Sequence, residues 1–261
     1  MKKILSAALI IIMSLCLLCG CESQPEPIED VKYVQDKGTL TVGVTDMPPL
    51  NYKDGTVWEG FDADLARLFA EHLGVEIEFK EILWDNKVIE LSDKNIDCVL
   101  NGLAVIKAVE KGMTVSDGYV NNPQAVVVGK ENADKYKTLK KIEDLKFAVE
   151  GGSAAEDVVK EEKLDYLVVE SQADALREVY LGSADACIID KLVADSVTEN
   201  MGRYPDLART VVFDDDAAVA GFRRGSDLAE EFNGFIDELI DNGKLASLAD
   251  EYGISESELI K

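Results

Sequence analysis

Residues able to do covalent or metal chemistry are scarce in this chain of 261 residues. His72 is the only histidine and sits in a helical pattern, where a structural role suits it. Past Cys21 only Cys98 and Cys187 remain, each inside an apolar run, where a thiol behaves as a small hydrophobe. The run Asp214-Asp215-Asp216 suits a solvated turn better than a calcium site. No nucleophile–histidine pair and no cluster of metal ligands can be assembled from these parts, so neither a metal nor another cofactor is expected. What remains is binding chemistry. Glu150 and Asp190 each follow an apolar run, and Trp84 offers a ring for core packing or for a cation.

The first twenty residues stand apart. Lys2 and Lys3 precede an almost wholly apolar stretch from Ile4 to Leu18, followed by Cys19-Gly20-Cys21. That is the pattern of a bacterial lipoprotein signal over residues 1–20, cut before Cys21, which then carries lipid. About 15 apolar residues fall short of the roughly 20 that a membrane span needs. The lipid would tether the chain to the extracytoplasmic face of a membrane, at the cell surface or in the periplasm. Without Lys2 and Lys3, 25 basic residues face 51 acidic ones, a net charge of −26. Such a surface repels nucleic acid and favours a soluble monomer.

Elements to position Glu150, Asp190 and Trp84 can be read along the chain. Residues 21–36, with Pro25, Pro27 and several acids, read as a flexible tether. Strands are expected at Thr39–Val44, Val75–Phe79, Cys98–Leu100, Ala125–Val128, Phe147–Val149, Leu167–Val169, Ala186–Ile189 and Ala217–Phe222. Helices are expected at Asp62–Leu73, Lys87–Leu91, Ala154–Lys163, Ala173–Tyr180, Asp227–Asn242 and Leu245–Tyr252, with Gly74 and Gly243 as stops. Strands alternating with helices give an α/β protein with mainly parallel sheets. Two such series fit lobes at 37–123 and 124–212, with 213–261 returning to the first. Cys98 and Cys187 then fall in different lobes and stay unpaired.

Gly60-Phe61-Asp62-Ala63-Asp64-Leu65 resembles the G-F-D-x-D-L signature of the family-3 extracellular solute-binding proteins. The order of further matches supports it: Gly38-Thr39-Leu40-Thr41-Val42-Gly43, Pro48-Pro49, Trp84-Asp85, Asn95-Ile96-Asp97-Cys98, Asn101-Gly102, Ser116-Asp117, Gly152-Ser153, Asp185-Ala186 and Gly221-Phe222-Arg223-Arg224-Gly225-Ser226. The resemblance implies a type II, periplasmic-binding-protein-like fold, two α/β lobes joined by two hinge strands. It implies capture of a small solute by lobe closure and delivery to an ABC permease. Ligand contacts would come from Asp46, Met47, Trp84, Asn101, Gly102, Leu103, Ala104, Val109, Glu150 and Ser153. Asp190 matches the carboxylate that holds a ligand's α-ammonium. Asp190 and Ser153 could also serve only as helix N-caps.

One part of the frame is altered. Relatives usually carry hydroxyls and an arginine for the ligand's α-carboxylate where this chain has Ala104, Ile106 and Val109. Burying an unpaired carboxylate costs about 3–5 kcal/mol relative to a paired one, two to three orders of magnitude or more in affinity. Lys107 is a poor substitute for a bidentate grip. The acids at Asp190, Glu150 and Asp46 therefore favour an amine without a free carboxylate over an ordinary amino acid. A ligand-sensing lipoprotein that does not transport is the alternative. A dehydratase-like enzyme on this scaffold would need the missing anion grip.

Overall fold

The computed structural model describes residues 28–200, 203–213 and 216–260. The signal expected at residues 1–20, Cys21, the first part of the tether, Asp214 and Asp215 lie outside the described residues. The remainder of the tether behaves differently from expectation. Asp30–Lys37 form a helix, α1, because Val34 is buried and the Asp30 carboxylate pairs with Arg223 across 2.9 Å.

Lobe 1 continues with β1 (Thr39–Val44), the hairpin β2 (Tyr52–Asp54) and β3 (Val57–Glu59), and α2 (Phe61–Leu73). Then come β4 (Glu76–Glu81), a 3-10 turn at Trp84–Asn86 and α3 (Lys87–Ser92). β5 (Cys98–Leu103), α4 (Lys107–Gly112), β6 (Met113–Val115) and β7 (Val120–Asn121) complete its first part. Lobe 2 holds β8 (Gln124–Gly129), α5 (Leu139–Ile142), β9 (Lys146–Glu150), α6 (Ala154–Glu161) and β10 (Asp165–Val169). It closes with α7 (Gln172–Tyr180), β11 (Ala186–Asp190), α8 (Lys191–Asp195) and β12 (Leu207–Val212). The chain then returns to lobe 1 through β13 (Ala217–Arg223), α9 (Leu228–Asp241) and α10 (Lys244–Glu251).

Each lobe is built on one mixed sheet. Strand order is β4-β1-β5-β13-β6 in lobe 1, with β7 also on β13, and β10-β9-β11-β8-β12 in lobe 2. β1 runs parallel to β4 and β5, and β9 to β10 and β11. β13 and β8 are antiparallel to their neighbours. The two passages between lobes, near Asn122 and near Asp216, are tied by a hydrogen bond from the Asn122 amide to the Asp216 carbonyl at 2.7 Å. The β1 and β5 ends in one lobe and the β9 and β11 ends in the other carry the residues that meet between the lobes. That is where ligands sit in open α/β sheets.

The lobe 1 core is aromatic. Phe69 on α2 meets Phe232 and Phe235 of α9 at ring centroids 5.0 and 5.3 Å apart, within the range of favourable edge and tilted packing. His72 stacks on Phe69 and bonds Glu231 at 2.8 Å, a structural role. Cys98 and Cys187 are both buried and free, one in each sheet.

Candidate functional site

A narrow cleft with a cavity volume of about 20 Å³, room for little more than one water molecule, runs between the lobes. Trp84, Lys87, Gly102, Leu103, Ala104 and Ile106 line it from lobe 1; Gly152, Ser153, Ala154, Gln172 and Asp190 line it from lobe 2. Two glycines allow the close approach. Gly102 has φ +59°, and a Cβ there would come within 2.6 Å of Met47 Cε. Gly152 has φ +69°, and its Cβ would meet Asp85 of the opposite lobe at 2.5 Å. Both positions demand the left-handed backbone that glycine adopts without strain.

Asp190 ends β11 and is buried. Both its carboxylate oxygens accept side-chain amides, Oδ1 from Gln124 and Oδ2 from Gln172 at 2.8 Å, while its own backbone N–H donates to Gln172 Oε1 at 3.1 Å. Its carboxylate makes no capping bond to the helix that follows. Burial pushes its pKa up to about 6, opposed by the glutamine amides. Glu150, at the end of β9, is also buried, and desolvation reinforced by the Asp190 charge pushes it up to about 8. It does not line the cleft directly. Ser153 lines the cleft and caps α6, its Oγ accepting from the Glu156 N–H at 3.3 Å and donating to the Glu150 carbonyl at 2.7 Å.

Lobe 1 divides the expected contacts. Trp84 is both a cleft wall and part of a small core with Ile82, Leu91 and Val109. Asn101 points into structure: its Oδ1 accepts from Thr45 N–H at 2.9 Å and Asn51 Nδ2 at 2.7 Å. Met47 is buried beside the cleft, its sulfur accepting from Gln172 Nε2 at 3.2 Å across the lobes. Gly102 donates its N–H to Asp62 Oδ2 at 2.8 Å, and Tyr119 donates to Asp62 Oδ1 at 2.9 Å. Buried between them, Asp62 is pushed up to about 7 by desolvation. Asp46 faces a neighbouring space of about 220 Å³ with Pro48, Gln172, Leu176, Val193, Arg203 and Tyr204 among its walls. Val109 is fully buried in the small core and does not reach the cleft. Lys107 is exposed at the start of α4.

Two cleft residues escape sequence reasoning. Gln172 looks like an ordinary first residue of a helix after Ser171, yet it bonds Asp190 and Met47. Lys87 opens α3, where a helix dipole disfavours positive charge. That misplaced sign was the available signal.

Two α/β lobes facing one another across a closed cleft define a type II solute-binding fold. The chain belongs to the bacterial extracellular solute-binding proteins, family 3, whose profile matches residues 40–255. It is 29% identical to the arginine-binding extracellular protein ArtP of Bacillus subtilis over 259 residues, covering 95% of this chain and 98% of that one. A substrate-binding protein of an amino acid ABC transporter from Streptococcus pneumoniae, solved with L-arginine, superposes with a TM-score of 0.79 at 26% identity, covering 90% and 100% of the two chains. The ancestral amino acid-binding protein AncCDT-1, a precursor of cyclohexadienyl dehydratase, gives 0.78 at 29% identity, covering 85% and 98%. Among the described residues no helix is long and apolar enough to cross a membrane.

Proposed function

We propose that this protein captures an amino-acid-like or amine solute between its lobes, with the ligand ammonium on Asp190, and hands it to an ABC permease. The observation that carries this is a buried carboxylate, partnered only by neutral amides, in the wall of an interlobe cleft. A cation replacing one of those amides gains a charge-assisted bond in a low-dielectric site. Its role is binding rather than catalysis, as in its family. The leader pattern of residues 1–21 supports a lipid anchor at Cys21 and an extracytoplasmic, membrane-tethered monomer. The acids Asp190, Glu150 and Asp46 support the cationic preference expected from the sequence, while Lys87 adds a positive charge that this expectation did not include.

Calorimetry with the common amino acids and with simple amines tests capture directly. Asp190→Asn should weaken the best ligand by about 30-fold or more, the scale of truncating a buried charge pair. Unchanged affinity in that variant would remove Asp190 from the site.

A further inference from the structure

Lys87 is buried, 3% exposed, and its Nζ lies 4.6 Å from the centroid of the Trp84 ring. It donates to the Gly152 carbonyl of the opposite lobe at 2.8 Å and to the Trp84 carbonyl at 3.2 Å. These bonds take two of the three hydrogens of an ammonium. Among the described residues Lys87 joins no ion pair, although Glu150, Asp85, Asp157 and Glu156 act on it at longer range. A buried charge with no directly bonded counter-ion is expensive unless an anion completes its shell.

Its location matters as much as its charge. α3 packs on α4, the helix that carries Val109: a Cβ on Gly112 would come within 2.5 Å of Val88 Cγ1. Val88 and Ile106 both lie against the small core that contains Val109 and Trp84. The positive charge absent at position 109 of one of these packed helices is therefore present at position 87 of the other. Lys87 also shares the cleft with Ala104 and Ile106, where the family's anion grip is depleted, and with Ser153 and Ala154 at the N-terminal end of α6.

We propose that Lys87 binds a carboxylate of the ligand in place of the arginine absent at Val109, so that the ligand is a zwitterionic or basic amino acid rather than a simple amine. This rests on the capture role above and names its substrate class. Charge balance agrees with the geometry. Lys87 and Asp190 are the charged side chains that line the cleft, one cation and one anion, while burial pushes Glu150 behind them up to about 8, toward its neutral form. A lysine that merely filled the cleft as an internal substitute for the ligand ammonium would behave oppositely, since removing it would tighten amines.

The test compares each amino acid with its decarboxylated amine by calorimetry on the mature chain: arginine with agmatine, lysine with cadaverine, histidine with histamine, phenylalanine with phenethylamine. The wild type should prefer the amino acid in at least one pair by about 30-fold or more. Lys87→Met should erase that preference while keeping the amine affinity, and Lys87→Arg should restore part of it. A wild type that binds the amine as tightly as the amino acid in every pair it binds overturns the proposal, and this comparison needs no variant. A preference that survives in Lys87→Met overturns it too, as does tighter amine binding in that variant. If the wild type binds no member of any pair, the capture role itself fails and takes this assignment with it.

Discussion

The Arg223 cluster and the cleft both bury charges, and they treat them in opposite ways. Beneath the sheet, Arg223 donates to Asp30 through Nε at 2.9 Å and Nη2 at 3.0 Å, to Asp97 at 3.3 Å and to the Ile96 carbonyl at 2.9 Å. Asp97 also accepts Lys37 and the Thr41 N–H. Nearly every donor and acceptor there has a charged or backbone partner, and the result is a clamp holding α1, β1, β5 and β13 together. At the cleft, Lys87 has carbonyls, Asp190 has amides, and Glu150 has Asp190 and Lys87 only as distant charges. Paired burial fixes a fold. Unpaired burial keeps electrostatic energy available to whatever completes the shell.

The contrast is sharpest at Arg223. Arg223→Met should destabilise the protein by about 3–5 kcal/mol, because it strands the buried Asp30 carboxylate and leaves Asp97 with Lys37 as its only charged partner. Urea unfolding of the two proteins gives the number, and a change below about 1 kcal/mol would mean the clamp is ornamental.

A middle-sized effect should appear with pH. Asp62, Asp190 and Glu150 rise in the folded protein from 3.8, 3.8 and 4.5 to about 7, 6 and 8. Across that window the native state holds more protons than the unfolded chain, so stability falls as pH rises. It is fully present below about pH 4 and is lost on passing through the folded values. Lys87, lowered from 10.5 to about 8, runs the other way and returns stability above about pH 8. Melting temperatures of the ligand-free protein should therefore decline from pH 5 to a minimum near pH 8. A flat profile would show the cleft charges to be better solvated than their burial suggests.

The smallest effect sharpens the comparison most. Lys87→Met should change ligand-free stability by less than about 1 kcal/mol, or raise it slightly, since an apolar side chain of similar length replaces an unpaired buried charge. A loss as large as that of Arg223→Met would place Lys87 with the structural clamp.

Much of the frame was legible in the sequence because it depends on local pattern. Period-two alternation marked β4, continuous apolar runs marked β9 and β11, Gly74 marked the end of α2 and Gly243 the break between α9 and α10. α1 was mistaken for tether: its pattern is weak, and its stability comes from Asp30 meeting Arg223, a residue 193 positions away. The site was legible where a residue follows a strand, as with Asp190 and Ser153. Asn101 was grouped with the ligand contacts because sequence order cannot show that its amide turns toward Thr45 and Asn51.

The sequence by itself determined the two-lobed α/β class, its family and the absence of an arginine at Val109. These follow from residue type and order, which act over a few positions along the chain. Only the tertiary structure decided which groups meet across the cleft. Lys87 and Gly152 are 65 residues apart, and Gln172 and Met47 are 125 apart. Burial and pairing, which set whether a charge serves the fold or a ligand, depend on chain segments that no local pattern brings together.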